Sequence, residues 1–213
     1  MDAYGQLAQR RIGMLCWPAD GKGGIAMTPR SLVALALAAV LSLWAAPPAV
    51  AEATRIEDFA MQPETRWRFF TDGVMGGVST GQVAFVQEGG QSHARMTGRV
   101  STANRGGFIQ MRLDLASPPP AGTTGVRLVV RGNDQRYFVH LRTTGTILPW
   151  QYYQAGFDVT RGWSEVRLPF EAFGASGALL RTVPRPGSLT SLAVVAYGRD
   201  HDAEIEVREV GFY

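Results

Sequence analysis

The segment Trp67-Arg-Phe-Phe-Thr-Asp72-Gly-Val-Met-Gly76-Gly77-Val-Ser79-Thr-Gly81 passes from a short apolar run into a loop that contains four glycines. Glycine adopts positive φ angles and lets another backbone come close, while Asp72 and Ser79 can hydrogen-bond to neighbouring amides. Two interpretations follow: a tight connection between two β-strands, braced by the aspartate, or a recognition loop. A phosphate-binding loop is excluded, because no Gly-Lys-Ser/Thr follows and no helical pattern leaves the segment.

Outward from this segment, short runs of alternating apolar and polar residues predict an all-β domain. The predicted strands are 67–70, 81–86, 93–100, 107–113, 125–131, 136–143, 150–157, 163–169, 189–197 and 203–212, with one helical turn at 170–173. No long apolar run has a helical period, which excludes a Rossmann or other α/β plan. We therefore predict that residues 66–213 form one antiparallel β-sandwich. The predicted core residues are Trp67, Phe108, Tyr137, Val139, Trp163, Val166, Phe170 and Phe173.

The chain before this domain has the pattern of a leader. Residues 27–51 contain a basic start, an apolar stretch from Leu32 to Trp44, and small residues at 49 and 51, which together predict a secretory signal peptide cleaved before Glu52. Residues 1–26 precede a second methionine, so we predict that translation starts at Met27. A twin-arginine signal is excluded, since the arginine pair at 10–11 lies far from the apolar stretch. The protein is thus predicted to be exported, periplasmic or secreted, with 52–65 a partly ordered lead-in.

Charge and cysteine content narrow the function classes. Four of the 21 Lys and Arg residues and two of the 18 Asp and Glu residues precede residue 52, which leaves 17 positive and 16 negative side chains, a net charge of +1. A nearly neutral domain does not concentrate nucleic acid, so nucleic-acid binding is not expected. The one cysteine, Cys16, lies upstream of the predicted cleavage site. The exported domain therefore has no disulfide and no thiol nucleophile.

Catalytic and metal-binding patterns are weak. The three histidines, at 93, 140 and 201, lack the spacing of a zinc site and are interpreted as strand-surface residues. Asp200-His201-Asp202 could hold a hard cation, but a polar hairpin tip explains the same residues. Gly77-Val-Ser79-Thr-Gly81 matches a nucleophile elbow by letter, yet a strand pattern follows it where a helix is required. The acids are too scattered to indicate a paired-carboxylate glycosidase. We predict no enzyme activity, no metal and no cofactor.

The aromatic segment Trp150-Gln151-Tyr152-Tyr153-Gln154 has two interpretations. Exposed rings beside amides are how a β-sandwich binds sugars or peptides, whereas buried rings are core. Strand alternation would place Trp150 and Tyr152 on one face and Gln151 and Tyr153 on the other, so at least one of these faces is expected to be core.

With the strands in place, four separated segments resemble the complex I intermediate-associated protein 30 family. They are Trp67 with Asp72-Gly-Val-Met-Gly76-Gly77-Val-Ser79, Gly98-Arg-Val-Ser101 through Asn104-Arg-Gly106-Gly107-Phe108, Val130-Arg131-Gly132-Asn133-Asp134-Gln135-Arg136-Tyr137, and Trp163-Ser-Glu-Val166-Arg-Leu-Pro169-Phe170-Glu-Ala-Phe173. Residues 203–210 resemble the closing strand of the family. The sequence departs from the family pattern at 133–135, where the family has an Asp-Gly pair.

The resemblance implies a galactose-binding-like jelly roll, a β-sandwich shared with many carbohydrate-binding modules. It also implies a non-enzymatic, chaperone-like role, because mitochondrial members help to assemble respiratory complex I by holding a membrane-arm intermediate. The candidate contacts for a protein partner are Asp72, Gly76, Gly77, Ser79, Arg131, Arg136 and Tyr137. The alternative is a glycan-binding module, with Trp150, Tyr152, Tyr153 and Gln154 as the candidate contacts.

Overall fold

The computed structural model describes residues 54–213; the predicted upstream segment 1–26 and signal peptide 27–51 lie outside them. The described chain forms twelve β-strands joined by loops and short 3₁₀ turns. The strands are β1 (Thr54–Glu57), β2 (Trp67–Thr71), β3 (Thr80–Glu88), β4 (Gln91–Val100), β5 (Phe108–Asp114), β6 (Gly125–Gly132), β7 (Arg136–Thr143), β8 (Tyr153–Asp158), β9 (Ser164–Pro169), β10 (Gly174–Ala175), β11 (Leu189–Tyr197) and β12 (His201–Phe212). All ten predicted strands are present, and the predicted turn is a 3₁₀ turn at Phe170–Ala172.

Two antiparallel sheets form the molecule. Sheet A has the order β3-β4-β12-β6-β9, with β1 also paired to β12, and sheet B has the order β10-β8-β7-β11-β5-β2. The twelve-residue strand β12 organises sheet A. It pairs with β4 along its first half, with β6 along its second half and with β1 at its end. The predicted antiparallel β-sandwich is confirmed.

The core lies between the sheets. It is formed by every second residue of most strands, the residue whose side chain points inward. Buried aromatic and aliphatic side chains from both sheets form one cluster that runs from Phe59 to Phe212. Tyr137 joins the layers, because its hydroxyl donates to Asn133 Oδ1 at 2.7 Å and accepts from the Glu204 backbone N–H at 2.7 Å. Burial raises the pKa of Tyr137 to about 12, so the phenol stays protonated. Within residues 54–213, these side chains form one core between the two sheets.

Three sequence expectations differ from the structure. The lead-in is more ordered than predicted, because β1 pairs with β12 and Glu57 accepts hydrogen bonds from Arg66 and the Trp67 indole. Trp67, Tyr137, Val139, Phe170 and Phe173 are buried as predicted, and Val166 packs against the core. Phe108 and Trp163 instead lie half-buried on outer faces, since each precedes an inward-facing residue on its strand. The strand predicted from residue 150 begins at Tyr153, which leaves Trp150 in a loop.

The register defines two ends of the sandwich. At one end Phe108 pairs with Tyr197, and the loop after β2 lies here because Thr71 pairs with Ile109. At the opposite end Leu189 pairs with Thr143. The loops that precede β8 and β11 therefore share this second end. Within residues 54–213, no helix has the length and apolar character needed to cross a bilayer.

Candidate functional site

The Asp72 carboxylate holds the glycine loop in place. Asp72 is fully buried, and its Oδ1 accepts the Ser79 N–H at 2.9 Å. Its Oδ2 accepts the Ser79 hydroxyl at 2.5 Å, the Gly107 N–H at 2.6 Å and the Phe108 N–H at 3.3 Å. Burial by itself raises the pKa of Asp72, but the hydrogen bonds from Ser79, Gly107 and Phe108 outweigh it and lower the pKa below its usual value. The carboxylate is thus a charged, fully engaged anchor.

Two glycines leave room for this carboxylate. A Cβ on Gly77 would lie 2.3 Å from Asp72 Cγ, and a Cβ on Gly106 would lie 2.3 Å from Asp72 Oδ2. Gly76 has a φ of 88°, which other residues rarely adopt. The sequence required glycine here for close approach at Gly77 and for positive φ at Gly76.

Ser79 belongs to the same anchor. Its Oγ donates to Asp72 and accepts the Ser101 N–H at 2.9 Å. The side chain is buried, and β3 begins at the next residue. An elbow nucleophile is exposed at a turn from a strand into a helix, so neither feature of Ser79 fits that role.

The same loop, residues 72–79, which we call the Met75 loop, carries three exposed apolar side chains: Val74, Met75 and Val78. They are 72%, 63% and 49% exposed. The turn that carries Val74 and Met75 is closed by hydrogen bonds from Gly76 N to Gly73 O and from Gly77 N to Asp72 O. The Met75 loop is therefore an apolar surface on a braced backbone.

The outer face of sheet B carries a connected group of rings, which we call the ring cluster: Phe138, His140, Tyr152 and Tyr197. The imidazole of His140 stacks on Tyr152 with ring centroids 4.1 Å apart, and Tyr197 meets both Phe138 and His140 edge to face. The Tyr152 and Tyr197 hydroxyls are 3.3 Å apart. Beside them, His140 Nε2 lies 2.8 Å from Gln154 Oε1. Burial lowers the pKa of His140 to about 4, so the imidazole is neutral at pH 7.

Next to the ring cluster lies a cleft of ≈ 450 Å³. Its lining residues are Arg112, Asp114, Arg142, Ile147, Pro149, Thr190 and Ser191. The Arg112 guanidinium lies 4.8 Å from the Phe70 ring centroid. Burial, with the nearby charges of Arg68 and Arg142, lowers the pKa of Arg112. The arrangement offers rings, amides and cations on one shallow surface.

The structure separates the residues predicted to contact a protein partner. Asp72, Gly76, Gly77 and Ser79 build the Met75 loop. Arg131 instead lies on the outer face of sheet A, paired with Glu206 and Glu88. Arg136 lies beside sheet B, with its guanidinium 6.0 Å from the Phe138 ring centroid. Tyr137 is in the core, which corrects its assignment to a binding surface.

The predicted glycan contacts divide by strand alternation. Tyr152 and Gln154 lie on the outer face of sheet B, and Trp150 is 64% exposed in the preceding loop. Tyr153 is in the core, which corrects its assignment, and Gln151 is buried too. One face of this segment is core, as expected, because Gln151 and Tyr153 are both buried, whereas Trp150 lies in the loop before β8 and does not share a strand face with Tyr152. Sequence reasoning missed Phe138, His140 and Tyr197, although their alternation along β7 and β11 places them on the face opposite the core.

One cluster of potential metal ligands lies on sheet A. The ligand atoms of Glu88, His93 and Glu206 lie within 4.8 Å of one another. The Arg131 guanidinium lies 2.8 Å from Glu88 and 2.5 Å from Glu206, so its charge balances these carboxylates. His93 is buried, and so is His140, in contrast to the expectation of surface histidines; burial lowers the pKa of His93. The cluster is interpreted as an ion-pair network.

At the predicted polar hairpin tip, Asp200 accepts hydrogen bonds from the Thr102 backbone N–H and hydroxyl.

The family to which this sequence belongs follows from a comparison of the chain with protein-family profiles. The profile of complex I intermediate-associated protein 30 matches residues 58–196. The chain belongs to this family. No curated protein sequence matches the chain significantly.

Solved structures share the fold at low sequence identity. The family 11 carbohydrate-binding module of a cellulosomal cellulase of Clostridium thermocellum superposes with a TM-score of 0.61 at 10% identity, covering 75% of this chain and 93% of that chain. The Clostridium thermocellum module in complex with a β-1,3-1,4-mixed-linked tetrasaccharide has a TM-score of 0.61 at 9% identity, covering 75% and 94%. These similarities confirm the β-sandwich jelly roll of the family member.

Proposed function

We propose that this protein is a non-enzymatic binding module that holds a protein partner through the Met75 loop, in the manner of an assembly factor or chaperone. The observation that carries the proposal is the braced apolar surface of Val74, Met75 and Val78. Exposed apolar side chains are usually scattered singly on a monomer, whereas a contiguous group on an ordered backbone is typical of an interaction site. Family membership supports a partner that is an intermediate of a membrane complex.

The Asp72 anchor supports the same role energetically. A flexible loop must lose conformational freedom when it binds, at a cost of about 0.5 to 1.5 kcal/mol for each immobilised side chain. The four hydrogen bonds to Asp72 hold the base of the loop before any partner arrives. A pre-ordered loop leaves more of the contact energy for affinity.

The experiment is affinity capture with the chain that begins at Glu52. Solubilised membranes of the source organism are passed over the immobilised protein, and subunits of NADH:ubiquinone oxidoreductase are quantified by mass spectrometry. The test variant is Val74→Gln/Met75→Gln. The matched control is Ile147→Gln/Leu179→Gln, which changes two apolar side chains at the opposite end of the sandwich that are more exposed than Val74 and Met75. We expect recovery with the control and a loss of about tenfold or more with the test variant. Equal recovery from both variants would overturn the proposal.

A second candidate function is glycan binding, which the ring cluster and Gln154 favour. Aromatic rings that lie beside amides and cations are typical of sugar-binding surfaces. The Clostridium thermocellum modules named above support testing mixed-linked β-glucan first. Affinity electrophoresis of the wild type and of Trp150→Ala and Gln154→Ala tests it. Glycan retardation that both substitutions abolish would place sugar binding ahead of protein binding, whereas no retardation of the wild type by any glycan tested would remove this candidate.

A further inference from the structure

At the end of the sandwich away from the Met75 loop, two loops expose a second apolar surface. We call it the Trp150 patch: Ile147, Leu148 and Trp150 from the loop before β8, and Leu179 from the loop before β11. Ile147 is 83% exposed, Trp150 64% and Leu179 91%. Neither the protein-binding proposal nor the ring cluster accounts for Ile147 and Leu179.

The first loop is braced so that its apolar side chains point outward. Arg142 donates hydrogen bonds to the carbonyl oxygens of Thr146, Leu148 and Pro149. The buried Gln151 closes the turn from the other side, because its Oε1 accepts the Leu148 N–H at 3.0 Å. With its backbone polar groups held in this way, the loop presents Ile147 and Trp150 without unfolding.

The second loop is fastened beside the first. Ser176 Oγ donates to the Trp150 carbonyl oxygen at 3.1 Å and accepts the Tyr152 N–H at 2.9 Å. Leu180 packs against the core and its N–H donates to Gly177 O, so the adjacent Leu179 is left at the outside of the turn. The two loops therefore present their apolar residues side by side.

The charge of these loops is of one sign. Residues 143–152 and 174–188 contain no Asp or Glu, although the domain as a whole is almost neutral. They contain Arg181 and Arg185, both exposed, and Arg142 lies at the base of the first loop. Asp114 lines the cleft beside Ile147, but its carboxylate is paired with Arg68 and Arg112. A surface that exposes tryptophan and aliphatic side chains, with arginines and no acidic residue in its two loops, complements the interface of an anionic bilayer. There aromatic rings lie at the headgroup level and arginine binds phosphate.

We propose that the Trp150 patch docks on an anionic lipid surface, with Ile147, Trp150 and Leu179 entering the interfacial region and Arg181 and Arg185 contacting headgroup phosphates. A protein interface is the competing interpretation. The observations favour lipid because the apolar side chains protrude from loop ends and no acidic side chain in these loops would oppose a phosphate surface. The docking would hold the domain against a membrane and leave the Met75 loop, at the far end, free for a partner.

Vesicle co-sedimentation tests this proposal. The protein is the chain from Glu52, which carries the core cluster of the described residues and lacks the apolar stretch 32–44 that would bind bilayers independently. The vesicles are phosphatidylcholine alone or phosphatidylcholine with about one third phosphatidylglycerol, at low and at physiological salt. We expect binding to the anionic vesicles that weakens with salt and falls on neutral vesicles.

Tryptophan emission gives a second readout. Of the three tryptophans in the described chain, Trp67 is buried and Trp163 is half-buried, with the Arg131 and Arg208 guanidinium groups 4.6 and 4.8 Å from its ring centroid. A blue shift on vesicle binding would therefore report Trp150. Trp150→Phe should remove the shift and keep most of the co-sedimentation.

Three double variants decide the outcome. Ile147→Gln/Leu179→Gln and Arg181→Gln/Arg185→Gln should each lower vesicle partitioning by about tenfold. Val74→Gln/Met75→Gln is the matched control, since it changes two apolar residues that are also exposed but lie at the other end, and it should bind vesicles as the wild type does. Wild-type protein that stays in the supernatant with anionic vesicles would refute the proposal, as would equal loss with the control variant. Loss of partner capture by the control with vesicle binding intact would separate this proposal from the protein-binding function.

Discussion

The substitution Asp72→Asn tests the anchor of the Met75 loop. The amide that replaces the carboxylate keeps one oxygen, which can still accept the Ser79 N–H. The new NH₂ group then faces the N–H groups of Gly107 and Phe108, which Asp72 Oδ2 accepts at 2.6 and 3.3 Å. The buried N–H of Gly107 and the partly buried N–H of Phe108 are thus left unpaired. An unpaired buried donor costs about 1 to 3 kcal/mol, so we expect the free energy of unfolding to fall by about 2 to 4 kcal/mol.

This change should be visible in the melting temperature. For a domain of this size, each kcal/mol shifts the melting temperature by about 2 to 4 °C, which predicts a decrease of about 5 to 15 °C by circular dichroism. Urea unfolding at pH 7 should show a lower midpoint with an unchanged slope. Capture of the proposed protein partner should weaken in parallel. The control is Asp114→Asn, because Asp114 is about half-exposed in its ion pair with Arg68, and exposed pairs contribute little.

The pH dependence of the free energy of unfolding also tests the Asp72 anchor. The folded pKa of Asp72 lies below its unfolded value, so its contribution is present above the unfolded value and is lost as the pH falls through the folded pKa. The wild type should therefore lose more stability than Asp72→Asn between pH 4 and about pH 2. An Asp72→Asn variant within about 0.5 kcal/mol of the wild type at pH 7 would refute the anchor argument. If that variant lost a hydrolytic activity or a bound cation with stability unchanged, the non-enzymatic proposal would be refuted as well.

Burial lowers the folded pKa of His140 to about 4, so between pH 6.5 and pH 4 this histidine is protonated in the unfolded chain but not in the folded one. Lowering the pH over this range should therefore reduce the free energy of unfolding of the wild type by about 3 kcal/mol, a loss that His140→Gln should not show. Equal pH profiles of the two proteins in urea titrations would contradict this. Gly77→Ala should destabilise the fold by about 2 kcal/mol or more, since its Cβ would overlap Asp72, whereas Gly162→Ala has open space and should change the melting temperature little. The intact mass of protein recovered from periplasm or medium should correspond to a start at Glu52, and a full-length membrane-bound species would contradict the export prediction.

The sequence predicts the strands well because most strands alternate visibly. It predicts the faces less well where both faces of a strand are apolar. In β7 the run Tyr137-Phe138-Val139-His140-Leu141 alternates between core and outer face, yet the outward residues are as large as the inward ones. The sequence already predicts that Tyr137 is core, but only the partner strands show that His140 joins the ring cluster.

The binding candidates show the same limit. Asp72, Gly77 and Ser79 are close in the chain, so their cooperation could be predicted from local hydrogen bonding. Arg131 and Arg136 are also close in the chain, but they lie on different sheets because the turn between β6 and β7 separates them. The Trp150 patch could not be predicted, because it depends on a contact between two loops. Ser176, which lies 26 residues after Trp150 in the chain, holds the second loop against the first.

The position of β12 in sheet A also determines when the domain can form. β1 and β4 are synthesised before their shared partner β12, which is the last strand in the described part of the chain. Pairing at such separation closes very long loops, which slows folding and leaves little stable structure in an incomplete chain. A nascent chain that lacks residues 201–212 would keep its early strands unpaired on this side. The topology therefore delays formation of sheet A until residues 201–212 have been synthesised, and an unfolded chain is the form in which a protein can be threaded through a narrow translocation pore.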